Sequence, residues 1–166
     1  MTGAIVRRAG PDDRAAIRAL EERAFGQPGE AALVDRLVAD GDAVLELVAE
    51  RGGKIVGHIL FSRLFVETGG GRYPAVALAP LAVDPHHREI GVGGALVEDA
   101  HRLLVASGAT LSVVLGDPAY YAKFGYEHSR AADFTAEYQC DALQAVAWGE
   151  APRDGLLVYA KAFAEL

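Results

Sequence analysis

Apolar residues recur at two different spacings along this chain, and the switches between them mark its elements. A weak alternation over 4–8 stops at Gly10-Pro11-Asp12-Asp13, where proline suits a first helical position and the aspartates suit the positive end of a helix dipole. Ile17, Leu20 and Ala24 then share one face of a predicted helix, with Glu21, Glu22 and Arg23 around its rim, until Gly26-Gln27-Pro28-Gly29 breaks it. Leu33, Leu37 and Val38 form the stripe of a second helix that stops at Gly41. Val, Ile, Leu and Phe dominate 44–50 and 54–66, which predicts two strands joined by a hairpin at Arg51-Gly52-Gly53. A further turn at Thr68-Gly69-Gly70-Gly71-Arg72 leads to a third strand over 75–83, so this segment reads as an antiparallel meander. Pro80 removes a ladder donor inside that strand and predicts a bulge or a parting from one neighbour.

Helical spacing returns after Gly91. Leu96, Val97, Ala100, Leu103 and Leu104 point one way and Glu98, Asp99 and Arg102 the other, as far as Ser107-Gly108. The β-rich run 110–115 follows this helix and so makes a parallel crossover with the strand before it. Gly116-Asp117-Pro118 opens a short helix through Phe124, and the tail holds strands over 143–148 and 155–160 that complete the sheet. The chain of 166 residues is expected to form one domain, 1–166.

Composition changes this picture only by exclusion. A net charge of -7 without a lysine or arginine run argues against a nucleic-acid surface. No apolar run reaches the ~18 to 20 residues of a membrane span, and the first residues lack a signal peptide's apolar core, so a cytoplasmic protein is expected. Cys140 is the single cysteine and reads as a small structural residue. His86-His87 does not read as a metal pair, because adjacent histidines diverge in a strand and rarely converge in a turn. No metal is expected.

The chemistry concentrates in Leu81-Ala82-Val83-Asp84-Pro85-His86-His87-Arg88-Glu89-Ile90-Gly91-Val92-Gly93-Gly94, a strand that breaks into a turn and then a glycine-rich helix start. The first N–H groups of a helix lack intrahelical partners, and glycines let an anion approach them closely. A Rossmann fingerprint would need its third glycine at Leu96, and a P-loop would need lysine and a hydroxyl residue where Ala95 and Leu96 stand. The alternative to an anion cradle is a bare strand-to-helix connection.

The pattern Arg88-x-x-Gly91-x-Gly93 resembles the acetyl-CoA pyrophosphate loop of the GNAT N-acetyltransferase superfamily, with Glu89 and Ile90 where many members carry glycine and a basic residue. Downstream, Gly116-Asp117-Pro118-Ala119-Tyr120-Tyr121-Ala122-Lys123-Phe124-Gly125-Tyr126 resembles the superfamily's Tyr-x-x-x-Gly-aromatic signature, with Tyr121 in the tyrosine's place. The resemblance implies an α/β (α+β) fold: a mixed, mostly antiparallel central sheet, flanked by helices, whose fourth and fifth strands splay. It further implies acetyl-CoA as co-substrate, with pantetheine along Leu81, Ala82 and Val83 and the pyrophosphate at Arg88, Glu89, Ile90, Gly91, Val92, Gly93 and Gly94. A free amine, on a small molecule or a peptide, would attack the thioester directly, and the thiolate would leave toward Tyr121. Asp117 either caps the short helix or touches the cofactor, and Asp-Pro favours the cap.

Less is legible on the acceptor side. Glu22 and Phe25 precede a glycine-rich loop and pair a carboxylate with an aromatic ring, which suits a cationic amine. The strand over 75–83 carries no carboxylate, so the general base is expected at Glu22, Glu67 or a water chain. His58 either faces the acceptor or hydrogen-bonds across the sheet, with the second reading favoured. An acyl-CoA-binding protein without turnover and a Rossmann-like nucleotide binder are the rival classes, and a homodimer is left open.

Overall fold

The structure, a computed structural model, describes residues 3–165, so Met1, Thr2 and Leu166 of the expected domain lie outside the described residues. Its elements run β1 (Ile5–Arg8), a 3-10 turn (Pro11–Asp13), α1 (Arg14–Phe25), α2 (Gly29–Ala39), β2 (Ala43–Arg51), β3 (Lys54–Thr68) and β4 (Gly71–Val83). After a second 3-10 turn come α3 (Val92–Ala106), β5 (Leu111–Leu115), α4 (Pro118–Tyr121), α5 (His128–Ala131), β6 (Phe134–Thr135), β7 (Leu143–Ala147) and β8 (Gly155–Tyr159). The strands lie in the order β1-β2-β3-β4-β5-β7, with β8 on β3 and β6 on β8. β4–β5 and β6–β8 are parallel and the other pairs antiparallel, which is the mixed, mostly antiparallel sheet expected.

The meander follows from its turns. Arg51 pairs with Lys54 across Gly52 and Gly53, whose φ values of 59° and 77° are those of a primed hairpin turn. Thr68 pairs with Gly71 in the same two-residue fashion, so β4 begins four residues earlier than the alternation from Ala75 suggests. Along β3, Ile59 and Phe61 face α3 in one core layer, while Leu60 faces α1 and α2 in another. Leu96, Val97, Ala100 and Leu104 of α3 complete the first layer; Ile17, Leu33, Val34 and Leu37 complete the second.

Two irregularities position the site. Ile59 pairs with Leu81 but Phe61 pairs with Leu78, so the one residue Leu60 of β3 opposes two of β4 and the bulge falls at Ala79-Pro80. β5 pairs with β4 only from Val76 to Leu78, and beyond the bulge the two strands part. A wedge opens between them.

The tail strands complete the sheet as expected, at two separate places: β7 extends it beyond β5, whereas β8 crosses to β3. The physical reason is length: β2 pairs with β3 only from Lys54 to Ser62, leaving an edge over Leu64–Glu67 whose backbone groups β8 satisfies. Helix α5 and strand β6 carry too few residues for a periodic signal. Cys140, read from sequence as a small structural residue, is a free, exposed thiol in the turn before β7. Among the described residues no helix is long and apolar enough to cross a membrane.

Candidate active site

The strand β4 delivers the chain to α3 through a turn fixed at several points. Asp84 accepts the His86 amide at 2.9 Å and the Arg23 guanidinium at 3.0 Å, while Arg88 donates to the Ala24 carbonyl at 2.9 Å. Both arginine contacts tie the turn to the last turn of α1. Glu89 then takes φ 66° and Gly91 φ 87°, a left-handed geometry that only glycine adopts without cost. The first helical hydrogen bond is made by Ala95 to the Gly91 carbonyl at 3.0 Å, so the N–H groups of Val92, Gly93 and Gly94 precede it.

These amides border a cavity of about 660 Å³. Leu81, Ala82 and Val83 form one side, Ala24 and Phe25 another, and Arg88, His87 and Lys123 bring cationic groups to its wall. Glu89 and Glu98 are its carboxylates. Lys123 sits 4.5 Å over the Tyr120 ring. A Cβ on Gly93 would lie 2.6 Å from the Tyr120 hydroxyl, so this glycine is required by a neighbouring side chain as well as by any approaching anion. Ile90, expected in the cradle, is 39% exposed and does not line the cavity, because the turn at Glu89 directs it outward.

A second cavity of about 570 Å³ occupies the wedge and meets the first at Phe25, Leu81 and Tyr120. Leu78, Ala79 and Pro80 of β4 and Val113, Val114 and Leu115 of β5 are its two flanks. Tyr121 lies inside this cavity and outside the first, with its ring 5.8 Å from Tyr126 and at right angles to Tyr120. Burial, reinforced by Tyr120 and Asp117, pushes the Tyr121 phenol above its ordinary range and keeps it protonated at neutral pH. Asp117 lines the same cavity and caps α4, its carboxylate accepting the Ala119 amide at 3.0 Å. Tyr138, Tyr159 and Phe163 enter from the tail, and Glu30 from α2.

The acceptor residues predicted from sequence divide. Phe25 lines both cavities, whereas Glu22 is exposed and lines neither, because α1 turns Glu21 to the sheet in the apolar phase of Ile17, Leu20 and Ala24. Glu67 stands at the far end of β3, paired with Arg72 at 3.3 Å. Neither is placed to act as the base.

His58 bonds across elements as the favoured reading had it, in a buried network that sequence did not disclose. Its Nδ1 is 2.7 Å from Glu21 and its Nε2 2.7 Å from Glu46, with Arg14 on the other oxygen of Glu46 at 2.5 Å. Burial opposes charge on His58, but the hydrogen bonds to the two carboxylates outweigh it and raise the imidazole's pKa. Burial likewise opposes ionisation of Glu46, yet His58 and Arg14 hold its pKa down. The one signal available was Glu21 itself, a carboxylate at core spacing within an apolar helical stripe.

Comparison with known proteins adds to this geometry. A family described as Acetyltransferase (GNAT) domain matches residues 5–129. Two Escherichia coli K12 proteins described as uncharacterized N-acetyltransferases are similar: YjhQ at 41% identity over 117 residues and YhbS at 40% over 118. These matches cover 69% and 70% of this chain and 65% and 70% of the relatives' own lengths. The crystal structure of Escherichia coli YhbS in complex with CoA superposes with a TM-score of 0.89 at 34% identity, covering 97% of this chain and 92% of that one. A Brucella melitensis GNAT acetyltransferase in complex with acetyl-CoA gives 0.83 at 32% identity, covering 98% and 99%.

Proposed function

The chain belongs to the GNAT acetyltransferase family, and from that premise we propose that it moves an acetyl group from acetyl-CoA to a primary amine within a ternary complex. The observation that carries this reading is the junction of the two cavities at Leu81 and Tyr120, which joins a helix-start cradle to a strand wedge containing Tyr121. The residues fit acetyl-CoA. The amides of Val92, Gly93 and Gly94 with Arg88 and Lys123 suit the diphosphate, and the apolar side chains of Leu81, Val83 and Phe25 suit the pantetheine arm.

Acetyl-CoA supplies an activated acyl carbon. The amine, having given its extra proton to water, directs its lone pair to that carbon; the C–N bond forms, the C–S bond breaks, and the second nitrogen proton passes through water to the departing thiolate, which leaves as the CoA thiol. The Leu81 strand amide polarises the thioester oxygen, and the sulfur carries the electrons away. Tyr121 donates a hydrogen bond to that sulfur. An alkyl thiol near 8.5 is a stronger acid than a phenol whose pKa exceeds about 10, so Tyr121 stabilises the thiolate without ceding its proton outright.

Two measurements test the reading together. Acetyl-CoA at about 100 times its dissociation constant should stabilise the protein by roughly 2.7 kcal/mol, and mass spectrometry of an amine panel should show an acetyl increment. No thermal shift with either CoA or acetyl-CoA would overturn the proposal.

A further inference from the structure

The wedge cavity has an unusual lining for a site that must receive an amine. Tyr138, Tyr159 and Phe163 form an edge-to-face row with ring centroids 5.2 Å and 5.3 Å apart, and Phe25 stands where this cavity meets the cradle. Among the described residues no lysine, arginine or histidine lines the cavity; its carboxylates there are Glu30 and Asp117. Asp117 is committed to the Ala119 amide. Among the described residues Glu30 receives the Gln27 side-chain amide, at 3.1 Å and 3.3 Å from its two oxygens, and a carboxylate has room for further donors.

We infer that the acceptor is an arylalkylamine: a primary amine with one positive charge on a small aromatic body. Glu30 holds the ammonium group on its way to the thioester, and the row of Tyr138, Tyr159 and Phe163 seats the ring. This rests on the acetyl-transfer reading above. A polyamine or an aminoglycoside would bring several ammonium groups to a cavity whose carboxylates are Glu30 and the already committed Asp117 and whose other polar side chains are neutral tyrosines, and burying a second charge without a counter-charge is costly. The cavity's volume of about 570 Å³ also falls within the range of sites for small molecules.

The test uses the full chain at saturating acetyl-CoA, with initial rates of thiol release and product mass recorded for five acceptors. They are 2-phenylethylamine, butylamine, spermidine, kanamycin and a peptide beginning with phenylalanine. The kcat/KM for 2-phenylethylamine should exceed each of the others by roughly 10-fold or more. Glu30→Gln should raise the KM for 2-phenylethylamine by about 10-fold while calorimetry finds CoA affinity unchanged. Tyr138→Leu should bring the ratio of 2-phenylethylamine to butylamine toward unity, a readout that loss of folding alone would not produce.

Equal rates for 2-phenylethylamine and butylamine in the wild type would overturn the inference, as would preference for spermidine, kanamycin or the peptide. So would an unchanged KM in Glu30→Gln. If acetyl-CoA binds and a different amine is turned over, the inference falls and the acetyl-transfer reading stands. If acetyl-CoA does not bind, that reading falls first.

Discussion

The cradle and the wedge cavity lie side by side, yet they are built in opposite ways. The cradle is local: one run from Leu81 to Gly94 supplies a strand, a turn and a helix start, and its working parts are mostly backbone amides. The wedge cavity is assembled from α1, α2, β4, β5, α4 and the tail, and its working parts are side chains. The family match over 5–129 contains the whole cradle, whereas Tyr138, Tyr159 and Phe163 lie beyond it. Chemistry shared across a family can be carried by backbone geometry, because glycine placement and helix polarity fix it. Discrimination between acceptors needs side chains, and of those in the wedge Phe25 and Glu30 lie within the match while the row of Tyr138, Tyr159 and Phe163 comes from the segment that the family pattern leaves free.

The largest effect should come from the feature that both regions lean on. The buried network of His58 with Glu21 and Glu46 seats α1 on the sheet, and Phe25 of α1 lines both cavities. His58→Gln leaves the buried Glu21 without its cation, while Glu46 keeps Arg14, and breaking such a buried pair costs about 3–5 kcal/mol. Chemical denaturation should show this loss, and both cavities should fail together. The imidazole's pKa is raised from 6.5, so its contribution is complete below pH 6.5 and fades as pH rises through the folded value. Glu46 runs the other way: its contribution is present above its ordinary 4.5 and is lost as pH falls through its lowered folded value. The gap in stability between wild type and His58→Gln should therefore narrow on the alkaline side of pH 6.5.

The next two changes separate the regions. Gly93→Val places a side chain on the cradle wall, where the Tyr120 hydroxyl already lies 2.6 Å from a Cβ. Acetyl-CoA affinity should fall by about 100-fold or more, a loss of roughly 2.7 kcal/mol. Tyr121→Phe should lower kcat by roughly 10- to 1000-fold and leave acetyl-CoA affinity nearly intact, because Tyr121 lines only the wedge. Tyr120→Phe, at the rim of both cavities, should lose less in kcat. The reverse order would move the role by one residue. The smallest effect is expected at Arg88, whose guanidinium already donates to the Ala24 carbonyl. Arg88→Gln should weaken acetyl-CoA binding by less than about 10-fold, and the loss should shrink at high salt because the group is exposed.

The same contrast explains what could be read from sequence. The two glycine hairpins, the Pro80 bulge and the α3 start were legible because each depends on neighbouring residues and on the few conformations they permit. Charge alone puts Glu21 and Glu22 alike on the rim of the first helix, whereas the helix phase turns Glu21 onto the sheet and leaves Glu22 outside. The carboxylate that does line the wedge, Glu30, sits on the following helix, and no local pattern links it to Tyr121. The tail rings were invisible for a similar reason. Tyr138 and Phe163 lie outside any strand, and the crossing of β8 to β3 that gathers them follows from an unpaired edge far away in sequence.

The central claim is that a backbone cradle binds acetyl-CoA independently of the side-chain cavity that receives the acceptor. Titration calorimetry of acetyl-CoA into wild type, Gly93→Val and Tyr138→Leu tests it most directly. The account predicts one site in the wild type, its loss in Gly93→Val, and an affinity within about twofold of wild type in Tyr138→Leu. Equal weakening in both variants, or undiminished binding in Gly93→Val, would contradict it.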